Sequence, residues 1–156
     1  ISALLRLLPE RDPHAGLFAM TEAIADNLDE AALAPELVVR FELALLAELG
    51  FGLDLGSCAA TGARENLVYV SPKSGRAVSR TAGAPYADRL LGLPGFIAEE
   101  AGANAIPAEA LADGLRLAGY FLRRDLFEPR GQTESMAARD SFVREALRAL
   151  SSAARP

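Results

Sequence analysis

Few residues in this chain are suited to nucleophilic or metal chemistry: His14 is the one imidazole and Cys58 the one thiol among 156 residues. A Cys/His nucleophile pair would have to be drawn from these two, with the histidine in the first turn of a helix. The plainer expectation is a capping or surface role for His14 and a half-buried turn role for Cys58. Glu99 and Glu100 are adjacent, so on a helix their carboxylates diverge, and they are expected as exposed acids rather than an acid/base pair. The chain has no phosphate-binding loop, dinucleotide fingerprint or metalloprotease motif. An enzyme is not expected.

The stretch CAATGARENLVYVSPKSGRAVSRTAG, Cys58 to Gly83, has the outline of a metal knuckle, two turn-forming ends joined by a strand and a tight turn. A structural zinc site needs about four Cys or His ligands in tetrahedral geometry. This segment supplies Cys58 alone, and His14 is too far away in sequence to mend the count, so no metal and no cofactor is expected. Within it LVYV is β-prone, SPKSG has turn chemistry, and RAVSR can return as a second short strand. Lys73, Arg76 and Arg80 lie on or beside the turn and Arg89 shortly after, with Tyr69 and Tyr86 as rings for stacking. Such groups suit sequence-independent, salt-sensitive contact with nucleic-acid phosphates.

A two-stranded ribbon is marginal alone and must lean on a larger body. The rest of the sequence reads as that body. ISALLRLL has apolar residues at helical spacing and reads as a helix already under way, so the natural chain is expected to begin upstream of Ile1. Asp12 and Pro13 form a cap and first helical position for the helix carrying Leu17, Ile24 and Leu28. Pro35 opens a helix apolar around most of its circumference (Leu37, Val38, Phe41, Leu45, Leu46, Leu49), as expected of one packed on several sides. Gly50 stops it, with Phe51 folding back on the last turn. Helical signals resume in PYADRLLGL and PGFIAEEAG. They strengthen in PAEALADGLRLAGYFLRRDLF, whose stripe is Leu111, Leu115, Ala118, Leu122 and Leu126, until Pro129 and Gly131 end it. TESMAARDSFVREALRAL gives a last helix with Phe142, Leu147 and Leu150 inward. The predicted fold is mainly α: one domain over residues 1–156, a helical bundle with a small β-ribbon insertion at 58–83.

Apolar residues are 51% and charged residues 24% of the chain, an ordinary globular balance. One cysteine rules out an internal disulfide framework. With no apolar run long enough for a bilayer and no charged-then-apolar start, no membrane partner is expected and a cytoplasmic place is. The net charge of −5 is unevenly spread, −7 over residues 1–57, +3 over 58–89, −4 over 90–115 and +3 over 116–156. Two basic regions on an acidic body can attract an anionic partner locally, because attraction depends on the field within roughly 10 Å.

RFELALLAELGFGLDLGSCAATG, VSPKSGRAVSR and GYFLRRDLFEPRGQTESMAARDSF together resemble the C-terminal region of RecO, the bacterial recombination mediator of the RecFOR pathway. The resemblance covers nearly the whole chain and implies a helical domain that normally follows an N-terminal OB-fold, absent here. Many members carry a four-cysteine zinc site, and laid on this sequence its ligand positions are Cys58, Thr61, Ser79 and Ala82. Three of the four ligands are gone, which implies a degenerate knuckle held by packing and by Thr61 and Ser79 hydroxyls bonded to turn amides. The turn between them persists as Val70 to Arg76, with Arg76 where the family has a second Gly.

The activity implied is mediation: binding single- and double-stranded DNA, annealing strands, and working with RecR to load RecA near the nucleoid. The resemblance also implies binding of the acidic, Phe-ending C-terminal tail of the single-stranded-DNA-binding protein through the helical domain. Such a tail needs an apolar pocket and cations. Arg40 is the first candidate cation, with Leu37, Phe41 and Leu45 as candidate pocket lining and Arg123 and Arg124 as further cations if their helix packs beside it. The plain alternative for Arg40 is an ion pair with Glu36. The alternative for the whole is an interaction scaffold with no DNA binding of its own.

Overall fold

The computed structural model describes residues 1–8, 14–98, 105–131 and 136–153. Asp12, Pro13, Glu99 and Glu100 lie outside the described residues. After α1 (Ser2–Leu5) comes α2 (Ala15–Asp26), which begins with His14 at its N-cap and buries Leu17 and Ile24. α3 (Leu33–Glu48) starts two residues before Pro35. The proline therefore sits in the first turn, where a missing N–H costs no intrahelical bond. Gly50 ends α3 at φ +86°: its N–H donates to Ala47 O at 3.0 Å and the Phe51 N–H to Leu46 O at 2.7 Å. This double closure requires the left-handed residue that glycine supplies. The Phe51 ring itself stays 39% exposed.

Residues 67–92 form a three-stranded antiparallel sheet in which β1 (Leu67–Val70) lies between β2 (Ala77–Ser79) and β3 (Leu91–Gly92). The pairings are Leu67 with Ser79, Tyr69 with Val78 and Val70 with Ala77, with a bulge between Leu67 and Tyr69, and on the other side Tyr69 with Gly92 and Val70 with Leu91. The sequence pattern predicts a two-stranded ribbon and a helix through PYADRLLGL. That segment is instead a short helical turn, α4 (Arg80–Gly83), a 3₁₀ stretch (Ala84–Arg89) and the third strand. Its apolar residues are too few and too close together to cover a helix face, and pairing with the open edge of β1 satisfies their backbone instead.

A short α5 (Gly95–Ala98) leads to α6 (Ala108–Phe121), the partner of α3 at the centre of the molecule. The expected stripe is buried, and so are Leu117 and Phe121. Two glycines let neighbours close in on α6: a Cβ at Gly114 would strike the Phe96 ring and crowd Val39, and one at Gly119 would strike the Arg139 guanidinium. α6 does not stop at Phe121 but widens into a π-helical turn, Leu122–Phe127, then a 3₁₀ turn ending at Gly131 (φ +63°). Last comes α7 (Ala137–Ala153), which packs on α6. Val70 and Ala77 of the sheet share one core with Phe41, Leu45, Leu115 and Phe121, so the sheet leans on the helices as a small ribbon must. No described helix is long and apolar enough to cross a membrane.

Candidate nucleic-acid edge and arginine groove

The knuckle is built around the Cys58 sulfur. Cys58 is buried, and its Sγ accepts the Ser79 N–H at 3.2 Å. The turn after it closes through Gly62 N–H to Cys58 O at 2.8 Å and Cys58 N–H to Ala63 O at 2.7 Å, while the Thr61 hydroxyl accepts the Ala63 N–H at 3.3 Å. Hydrogen bonds from the Ser79 hydroxyl, the Thr61 hydroxyl and the Ser79 N–H pull the Cys58 thiol down from 9.0 to about 6, against the upward push of burial. Positions 58, 61 and 79 thus converge through hydrogen bonds. Thr61 bonds a turn amide, whereas Ser79 meets the sulfur through its backbone N–H. Ala82 sits half-buried in α4. Among the described residues no group of three or more His, Cys, Asp or Glu could hold a metal ion.

The basic residues are strung along the ribbon rather than clustered. Lys73 is exposed at the tip, Arg76 begins the return, and Arg80 opens α4 beyond β2. At about 3.3 Å per residue, Arg76 and Arg80 stand roughly 13 Å apart along the chain. The Arg76 Nε lies 3.0 Å from Asp54 Oδ2, on a loop that pairs with the ribbon as a parallel bridge. Arg89 is exposed beside Asp88, at 3.8 Å. The Tyr86 ring is 58% exposed. Tyr69 is not free for stacking, because its ring packs under Gly83, where any Cβ would strike it.

The candidate peptide residues do not meet at one place. Arg40 donates from Nε to Glu36 Oε1 at 2.9 Å and from Nη2 to Phe96 O at 2.9 Å, with its guanidinium 5.7 Å from the Phe96 ring centroid. It straps α5 to α3, and the Glu36 pair is present. Phe41 and Leu45 are fully buried and Leu37 is half-buried, so the first two are core rather than surface lining. The reason is that α3 is apolar around most of its girth and lies between α2 and α6. Phe41 borders a cavity of about 240 Å³ shared with Ile24, Phe127, Met136 and Phe142. Arg123 faces α7, with its Nη2 3.6 Å from Asp140 Oδ2. Phe96 packs at Gly114, and Arg123 lies nine residues further on, roughly 13 Å along the axis at 1.5 Å per residue. Arg124 turns the other way, to the ribbon tip, where its Nη1 donates to Pro72 O.

What the fold does assemble is a groove between α6 and α7 of about 370 Å³. Leu115, Val143 and Leu147 provide its apolar surface, with Arg116, Arg123, Arg139 and Tyr120 also lining it. Arg116 pairs with Asp113 one turn back. Arg139 is nearly buried: its Nε and Nη2 grip Glu42 at 2.6 and 2.8 Å, and Nη2 also donates to Leu115 O at 2.7 Å. Burial pushes the Glu42 carboxyl up, while Arg139 draws it down. Of these cations only Arg123 was singled out from sequence. The available signals were the +3 charge of residues 116–156 and the i, i+4, i+7 spacing of Arg116, Tyr120 and Arg123, which puts them on one helix face.

The family model for the C-terminal part of recombination protein O matches residues 1–134. The chain belongs to that family. It is 61% identical over 155 residues to the DNA repair protein RecO of Rhizobium etli, covering 99% of this chain and 60% of that protein. It is 58% identical over all 156 residues to the RecO of Agrobacterium fabrum, covering 61% of it, and 58% identical over 145 residues to that of Beijerinckia indica, covering 93% of this chain and 58% of that protein. The chain thus spans about 60% of the length of these curated relatives. α7 lies beyond the residues matched by the family model but inside the match to the Agrobacterium fabrum protein. No solved structure matches the chain.

Proposed function

We propose that this chain is the helical part of a non-enzymatic DNA-repair mediator. Its ribbon edge, Lys73, Arg76 and Arg80 with Arg89 beyond, contacts the phosphates of single- or double-stranded DNA. Its helical body docks the acidic, aromatic-ended tail of the single-stranded-DNA-binding protein, and with RecR it promotes RecA loading. Support comes from kinship with proteins named for DNA repair. The observation that carries the reading is the α6–α7 groove, which joins an apolar floor to arginines at its rim. An acidic peptide ending in an aromatic residue needs both, a slot for the ring and fixed cations for the carboxylates. The groove, rather than the Arg40 face, is therefore the preferred seat.

Titration of a fluorescent acidic peptide ending in Phe tests this. Arg123→Glu is expected to weaken binding by about tenfold or more, which is about 1.4 kcal/mol. Equal affinity of Arg123→Glu and the parent would remove the groove from the reading, and loss on Arg40→Glu alone would return the site to α3. A second reading, a scaffold without DNA binding, draws on the acids beside Arg76 and Arg89, which weaken the field a phosphate would feel. It predicts no oligonucleotide binding at low salt while peptide binding persists.

A further inference from the structure

The segment LRRDLF places two consecutive arginines on a π-helical turn, a form often found at functional positions. Arg123 goes to α7, and Arg124 goes to the ribbon tip. The Arg124 guanidinium makes four hydrogen bonds and one ring contact inside the protein, with about a third of the side chain, 34%, left exposed. Nε and Nη2 hold Asp125 at 2.6 and 2.8 Å, Nη1 donates to Pro72 O and to Lys73 O at 3.4 Å, and its plane lies 4.6 Å from the Phe121 ring centroid. Phe121 is fully buried, and the tip rests on the same ring. Gly75 adopts φ +69°, and a Cβ there would come within 3.1 Å of Leu53 and 3.6 Å of Phe121. Within the tip, Gly75 N–H donates to Ser71 O at 2.9 Å.

A hairpin tip held only by its own strands would swing, and ordering it on binding would subtract from affinity. Here Lys73 has its own carbonyl tied to the helical body while its side chain stays exposed. With most of its donors and one ring face engaged inside the protein, Arg124 is held by the fold first, and a phosphate could meet only its exposed edge. We infer that Arg124 is a positioning residue that clamps the ribbon tip to the π-helical turn and so presets Lys73 and Arg76 for a phosphate backbone. This rests on the reading of the ribbon as a DNA-contacting edge. A clamp of this kind acts through the fraction of molecules whose tip is in place, because apparent affinity scales with that fraction.

The experiment is anisotropy of a labelled oligo-dT strand across a salt series, with hydrogen exchange of the Gly75 amide measured on the same proteins. Arg124→Gln is expected to weaken binding about three- to tenfold, as the tip-ordered fraction falls. Its salt slope should be unchanged, and Gly75 should exchange faster. Lys73→Ala, which removes a phosphate contact, should lower both affinity and slope, the latter by about one. Arg124→Lys keeps the charge but cannot hold a carboxylate, two carbonyls and a ring face together, so it should behave like the Gln variant. Recovery of the parent affinity by Arg124→Lys would make residue 124 a simple charge contact and overturn the inference. So would parent-like affinity and exchange in Arg124→Gln. If instead Lys73→Ala and Arg80→Ala bind as the parent does, the DNA reading fails and takes the DNA role of Arg124 with it; faster Gly75 exchange in Arg124→Gln would identify that as the cause.

Discussion

Replacing Arg139 with Met takes from Glu42, in the core, the guanidinium that hydrogen-bonds its carboxylate. The structure fixes what is lost: two contacts to the Glu42 carboxylate at 2.6 and 2.8 Å and one to the Leu115 carbonyl at 2.7 Å. Glu42 is 1% exposed, so its carboxylate is cut off from bulk water. Breaking a buried pair from one side costs about 3–5 kcal/mol, mostly the penalty of the stranded charge. For a chain of this size each kcal/mol moves the melting temperature about 2–4 °C, so Arg139→Met should melt roughly 6–20 °C below the parent. Adding Glu42→Gln should recover most of the loss, because a neutral amide is far easier to bury than a carboxylate.

The pH dependence has a definite sign. Burial already pushes the Glu42 carboxyl above 4.5, and without Arg139 it rises further. A raised carboxyl is neutral, and harmless, at low pH. The deficit of Arg139→Met relative to the parent is therefore largest near neutrality and shrinks as pH falls toward 4.5. Thermal melts followed by far-UV circular dichroism read both effects. A shift under about 2 °C at neutral pH, or a deficit that does not change with pH, would refute the claim that α7 is tied down by this pair.

Gly83→Ala should destabilise by about 1–3 kcal/mol in urea unfolding, the usual cost of overpacking, because its Cβ would enter the Tyr69 ring and touch Leu90 at 3.0 Å; unchanged stability would show that the ring can move aside. For Cys58 the folded thiol titrates near 6 against 9.0 unfolded. Its contribution is therefore present above 9.0 and lost as pH falls through 6, so the melting-temperature gap between the parent and Cys58→Ala should widen from about pH 6 to 9.0. A gap constant over that range would mean that the sulfur stays a thiol.

Local pattern alone determined the helical body and most of the ribbon. The periodicity of α3 and α6, the left-handed stop at Gly50 and the LVYV–turn–AVS alternation are properties of a few neighbouring residues, and such signals survive in any context that buries the apolar side. The likeness of three segments to one family was also legible, because it depends on residue order and not on contacts. The third strand was not, since Leu91–Gly92 has no strand pattern of its own and pairs only because β1 offers an open edge. Nor was the function of individual charges. Arg40, Arg123 and Arg124 look alike in sequence, yet one straps Phe96, one faces α7 and one holds the ribbon tip. Arg139 and Glu42, 97 positions apart, gave no sign that they would bury each other. A charge takes its role from whatever lies within about 4 Å of it, and for these side chains tertiary packing alone decides that.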